Sequence, residues 1–235
     1  MTYDEFETLL SSTRLEKYLM AAGGDKRKAL FYYRLNIRSS QAVYARLCLF
    51  EVVLRNKIDH HYRQKFLELY GESDWLAFAA QKGGPFDQDA TRKSQQTIRS
   101  CMASLGKRYS HNNLLANLSF GFWRYQFASR EFQAMGSSLH TIFPNRPKVT
   151  NHTVLFQQLT LINSLRNRIA HHEPICFSRQ HEQISYDYLT SHLQQVLELL
   201  HWLDIPAGAI FQGLSNPPVS PLVGRKTIAL YQGSA

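Results

Sequence analysis

Apolar residues return at helical spacings through most of this chain, and no long stretch alternates with the period of two that a half-buried strand needs. Phe6, Leu9, Leu10, Leu15, Tyr18 and Leu19 stand at helical spacings over residues 3–21, a run that Gly23-Gly24 stops. Residues 25–69 read as one or two long helices, and Asn36–Ser40 is where a break would fall if there are two. A turn over residues 70–74 precedes Trp75, and Lys82-Gly83-Gly84-Pro85 is a loop. Residues 90–108 read as a basic amphipathic helix. Ser110 suits the N-cap of the next, which runs through NNLLANLSFGFWRYQF.

Pro144 and Pro147 make residues 140–148 a connector. A long helix over about 150–173 follows, closed by Pro174, because proline cannot continue the hydrogen-bond ladder. Leu189, Leu193, Val196, Leu197, Leu200 and Leu203 give residues 184–204 an apolar side. After Ile205 come Pro206, Pro217, Pro218 and Pro221, so residues 205–235 read as a loosely structured tail. The fold class is all-α, a helical bundle of one domain over residues 1–204.

Two places in this frame share a word. LRNKIDHHY begins at Leu54 and LRNRIAHHEPI at Leu165. A helix turns about 100° per residue, so Asn167 and His171 lie about 40° apart on one face. Arg166 and His171 lie about 140° apart, a gap that a long arginine can curl across. Arg55 has Glu51 and Asp59 four residues to either side, which predicts a paired and neutralised guanidinium. Glu51, Arg55, Asn56 and His60 are therefore expected to be structural. Arg166 has Ile162 and Ala170 at those offsets, so no carboxylate of its own helix claims it. A phosphate is the best geometric match for such a guanidinium. A histidine near a helix C-terminus also suits the dipole, so His171-His172 has a purely structural explanation too.

Composition narrows the partners. Lys and Arg total 27 against 18 Asp and Glu, a formal charge of +9, which favours nucleic acid over other anionic surfaces. Hydrophobic residues make up 44%, enough for a real core. Cys48, Cys101 and Cys176 are odd in number and widely spaced, which argues against a disulfide framework or a zinc ribbon and fits a reducing cytoplasm. MTYDEFETLL is too acidic and polar for a signal peptide. The most apolar run, VYARLCLFEVVL, is too short and too charged to span a bilayer, so no membrane role is expected.

The Arg-Asn-x-x-x-His word resembles the catalytic signature of HEPN-type ribonucleases. LFEVVLRNKIDHH, LSFGFW and LRNRIAHHEPI, in that order, resemble the Abi-like family of abortive-infection proteins, the AbiD/AbiF group, over roughly residues 25–205. The resemblance implies a HEPN-like bundle with additional helices. It implies metal-independent cleavage of RNA, no cofactor, and an active site where two motif helices meet in a homodimer. It implies a toxin-like role in defence against phage. Whether an antitoxin or a small RNA restrains the protein is left open.

The chemistry suits these residues. The 2′-hydroxyl of RNA is a built-in nucleophile. Cleavage needs a base, an acid, and positive charge on the phosphorane-like transition state. Imidazole titrates near neutrality, so His171 suits acid or base. Arg166 suits the non-bridging oxygens, Asn167 the orientation of His171 or a ribose hydroxyl, and His172 a spare proton carrier or a cap. Lys107, Arg108 and Arg124 are candidate RNA contacts, and Trp123-Arg124-Tyr125 reads as core more readily than as a base platform. Two rivals stand beside this reading. One is a HEPN-fold module that binds RNA or protein without cutting. The other is a metal site from His140, His152, His171, His172 and His181, whose spacings match no standard ligand pattern.

Overall fold

The computed structural model describes residues 1–177 and 183–214. Eleven α-helices account for most of those residues, and an isolated bridge between Phe177 and Ile184 is the only β-type pairing among them. The chain divides into two compact units. One comprises Met1–Cys48, Ser164–Glu198 and Pro206–Ala235. The other comprises Leu49–Asn163 and Leu199–Ile205.

Helices α1 (Tyr3–Leu10) and α2 (Ser12–Ala21) replace the single helix expected over residues 3–21. Thr2 opens α1 with a capping box: its hydroxyl accepts from the Glu5 amide and the Glu5 carboxylate accepts from the Thr2 amide. The break falls at Ser11, whose φ of 77° lies outside the helical region. Serine competes for backbone hydrogen bonds, so a Ser-Ser pair is a weak point in a helix. Tyr3, Leu15 and Tyr18 bury with Ala29, Leu30 and Phe177 to form the first unit's core. Tyr18 meets Tyr33 and Phe177 edge-on, at 5.3 and 5.2 Å between ring centres.

Helix α3 (Lys26–Tyr70) is one unbroken run of 45 residues, the first of the two alternatives, with no break at Asn36–Ser40. Asn36 does not compete with its own helix. It is buried, and its side-chain oxygen accepts from the Ile175 amide at 2.8 Å. Farther along α3, Phe50, Leu54, Ile58, Tyr62 and Phe66 recur every fourth residue and are all buried. Tyr62 and Phe66 meet α4 (Trp75–Ala80), with Trp75 4.8 Å from Tyr62 between ring centres. In the loop that follows, a Cβ on Gly84 would press on the carbonyl oxygens of Phe78 and Ala79, so only glycine fits.

Helix α5 (Arg92–Leu105) lies between short 3₁₀ turns at Asp89–Thr91 and Gly106–Arg108. Ser110 caps α6 (His111–Asn117) through the Asn113 amide at 3.1 Å, as expected. The helix predicted to continue through Phe127 instead breaks at Leu118, whose backbone is extended. The indole Nε1 of buried Trp123, on α7 (Phe120–Tyr125), donates to the Leu118 carbonyl at 3.2 Å and satisfies it there. Trp123 is core, and so is most of the LSFGFW word.

Helices α8 (Ser129–Ala134), α9 (His152–Ala170), α10 (Asp187–Trp202) and α11 (Ala207–Ile210) complete the described chain. Leu189, Leu193, Val196, Leu200 and Leu203 are buried as the pattern predicts, and Leu197 is half-buried. Residues 205–214 are not wholly irregular, since α11 forms there. The rest of the expected tail, 215–235, lies outside the described residues. Among the described residues no helix is long and apolar enough to cross a membrane.

Candidate functional site

The second copy of the repeated word forms the last turns of α9. The helix ends at Ala170, before Pro174 forces it to. The His171 amide still donates to the Asn167 carbonyl at 2.9 Å. The His172 amide then reaches Ile169 at 3.0 Å and the Glu173 amide reaches Arg168 at 2.8 Å. These are the paired bonds of a Schellman ending, which needs a left-handed residue. Glycine usually fills that place, but here it is His172, with φ of 56°. A non-glycine residue there costs roughly 1–2 kcal/mol. His172→Gly is therefore expected to raise the melting temperature by a few degrees, about 1 kcal/mol in stability. Thermal unfolding checks it, and no rise would mean that the His172 ring makes a compensating contact.

The chain reversal gives the two arginines of the word different fates. Arg168 is consumed by structure. Its Nε lies 3.2 Å from the Glu173 carboxylate, its Nη2 donates to the Pro174 carbonyl, and its guanidinium lies 4.7 Å from the Tyr188 ring centre. Arg166 is half-buried and forms no ion pair or hydrogen bond among the described residues, and its Nε is shut off from water. Asn167, His171 and His172 are exposed.

His171 and His172 open on a cavity of about 370 Å³ whose other wall is the start of α2. Ser11, Thr13, Arg14, Lys17 and Tyr18 line that wall, and Glu173 and Pro174 complete the rim. Arg14 ties the walls together by donating to the His172 carbonyl at 2.9 Å. Arg14 was not among the expected site residues, and nothing local in its sequence marks it. Only folding brings it across 158 positions of chain.

The first copy lies within α3, in the second unit. The expected pairing of Arg55 with Glu51 and Asp59 is not formed. Arg55 has no ion pair among the described residues, and its Nε is likewise buried without a partner. Asp59 faces elsewhere. It accepts from Trp75 Nε1 at 2.8 Å and from His111 Nε2 at 2.6 Å, with Arg63 3.6 Å away. Two charge-assisted or indole donors at 2.6–2.8 Å hold this carboxylate, which leaves it turned away from Arg55. Asn56 and His60 are exposed, and Glu51 is half-buried. Arg55→Ala removes mainly the packed stem of the side chain, so it is expected to cost no more than about 1 kcal/mol. A fall in melting temperature beyond a few degrees would contradict that reading.

The residues after Arg55 are committed to packing. Lys65 donates to the carbonyls of Met135 and Gly136 at 2.9 and 3.2 Å and to Ser138 Oγ at 3.0 Å, closing the end of α8. His61 also meets Ser138 Oγ, at 3.0 Å, and burial lowers the His61 pKa.

Sequence reasoning missed a cluster in this unit. His111 stands between two carboxylates, with Nε2 on Asp59 at 2.6 Å and Nδ1 on Asp74 at 2.8 Å. Burial alone would lower its pKa, but the two carboxylates raise it to about 9, so the ring is an imidazolium that donates both bonds. Burial would likewise raise both acids, yet the bonds from His111, with Trp75 on Asp59 and Tyr109 on Asp74, hold them below their ordinary value. Asp74 also caps α4 through the Ala77 amide at 3.1 Å. Its place before Trp75 is a legible cap signal. Its second role was not legible, because His111 arrives from another helix.

The remaining candidates are distributed. Lys107 and Arg108 are exposed on a 3₁₀ turn of the second unit. Arg124 is packed. It donates to Thr160 Oγ1 at 3.0 Å and lies over the rings of Tyr125 and Phe156. His152 stacks on Phe132. His140 belongs to the same unit, and His181 lies outside the described residues. Among the described residues no three His, Cys, Asp or Glu side chains are grouped so as to hold a metal ion.

Fold and site thus define an all-α protein in which an Arg-x4-His helix end opens on a basic cavity. No family model matches the chain, and no curated protein or solved structure matches it. Function must be argued from the residues themselves.

Proposed function

We propose that this protein is a metal-independent endoribonuclease of the HEPN type, acting in defence against phage, with Arg166, Asn167, His171 and His172 as its site. The observation that carries the reading is the end of α9. Arg166, with no carboxylate partner among the described residues, and an exposed His171 share one helix terminus, and His171 borders a cavity walled by Arg14 and Lys17.

The chemistry needs no group beyond side chains and substrate. A base removes the proton of the 2′-hydroxyl, the freed oxygen attacks the adjacent phosphorus, and the P–O5′ bond breaks. A second group protonates the leaving 5′-oxygen. The products are a 2′,3′-cyclic phosphate and a 5′-hydroxyl end. His171 acts as acid or base. Arg166 stabilises charge on the non-bridging oxygens, where paired donors count most. Asn167 orients the imidazole or a ribose hydroxyl. One His171 does one half of the proton transfer. A two-fold homodimer supplies the second from the partner's copy, since a two-fold contact duplicates every residue at its centre.

The test is cleavage of total cellular RNA in EDTA by wild type and by His171→Ala, with the product ends identified. Cutting by wild type alone, leaving cyclic or 3′-phosphate ends, is the expected result. RNA binding without cutting by either protein would favour a non-catalytic module.

A further inference from the structure

We propose that the cavity between α2 and the end of α9 is a binding subsite for a neighbouring nucleotide of the RNA strand, gripped at its phosphate by Arg14 and Lys17. The proposal rests on the ribonuclease reading for its substrate, but its geometry is independent of that reading.

Size comes first. About 370 Å³ falls within the range of small-molecule sites, roughly 300–1,000 Å³, and is roomy for a bare anion. Charge comes second. Arg14 and Lys17 are exposed and form no ion pair among the described residues. The one carboxylate on the rim, Glu173, is turned to Arg168 at 3.2 Å, so it does not cancel them. Position comes third. The cavity is bordered by His171 itself, so a strand whose scissile phosphate meets His171 passes its next nucleotide into this space.

The wall is also held in place. Arg14 spends one Nη on the His172 carbonyl at 2.9 Å, which fixes its stem and leaves the rest of its donor fork for a ligand. Lys17 packs its ammonium 4.7 Å from the Phe177 ring centre, at the edge of the unit's core. Tyr18 is buried beneath them and anchors the floor of the cavity to the unit's core. Ser11 leaves α2 without a side-chain cap on the same side of the cavity.

The experiment measures binding of a short single-stranded RNA carrying 2′-O-methyl riboses, which lack the attacking hydroxyl and cannot be cut. Wild type is compared with Arg14→Gln/Lys17→Gln and with Lys17→Gln alone, which spares the bond to His172. Circular dichroism checks that each folds. The expected result is about tenfold weaker binding by the double variant. The slope of log affinity against log salt should also flatten by about 0.7, the value for one lost single-strand phosphate contact. Lys17→Gln should show about half of that flattening. Unchanged affinity and slope would overturn the proposal. So would binding of a free nucleoside 3′-phosphate that the variants lose while strand affinity stays intact, since the cavity would then serve a separate ligand. Cleavage in EDTA is read alongside. Lost binding with no cutting by wild type would leave the subsite standing and remove the ribonuclease reading. Cutting by wild type with binding untouched in the variants would do the reverse.

Discussion

His111→Ala is expected to lower the melting temperature by about 10 °C. The substitution removes the cation between Asp59 and Asp74, two partly buried carboxylates whose bonds to it are 2.6 and 2.8 Å long. Removing one partner of a buried ionic group typically costs about 3–5 kcal/mol, because the charges left behind are uncompensated. At about 2–4 °C per kcal/mol for a chain of this size, the expected fall follows. His111→Gln should lose less, because an amide can still donate one hydrogen bond.

The same cluster predicts a pH dependence. His111 is raised from 6.5 to about 9, so its contribution is complete below 6.5 and is lost as the pH rises through about 9. Asp59 and Asp74 are lowered from 3.8, so theirs is present above that value and is lost as the pH falls through the lower native value. The difference in stability between wild type and His111→Gln should be greatest between about pH 4 and 6.5 and shrink towards pH 10. A difference that stays constant across pH 5–10 would show that the imidazolium does not hold the cluster together.

The second large effect concerns cleavage. Arg166→Ala and His171→Ala are each expected to reduce RNA cutting by at least about 10²-fold, the usual scale for a general acid–base group or an oxyanion-stabilising donor. His171→Ala should leave the melting temperature within about 2 °C, since His171 is exposed and surface changes rarely exceed about ±0.5 kcal/mol. Full activity in both variants would refute this site. The first copy is the control that matters. Arg55, like Arg166, has a buried Nε and no ion pair among the described residues, so charge pairing does not separate the two copies. Their surroundings do. Beyond Arg55 the chain is spent on Asp59, His61 and Lys65 contacts, whereas beyond Arg166 it opens on a basic cavity. Loss of cleavage in Arg55→Ala at an unchanged melting temperature would instead mean two working motifs.

What could be read from the sequence was what short range determines. Helical period, caps and breakers act within a few residues, so α3, α5, α9 and α10 were legible to within a few positions, as was the Ser110 cap. The all-α class follows from the same signals. The errors share one cause. Ser11 broke a helix and Asn36 did not, because Asn36 found a partner at Ile175 that no local pattern announces. Asp59 seemed bound to Arg55, four residues away, but turned to His111, which folding brings near. The candidate site divides in the same way. Sequence alone put Asn167 and His171 on one helix face. Tertiary structure decided that α9 ends in a left-handed His172, that Arg168 closes that end, and that Arg14 and Lys17 face His171 across a cavity. A helix is specified by neighbours in the chain, but a site is specified by neighbours in space, and one sequence records those only after it has folded.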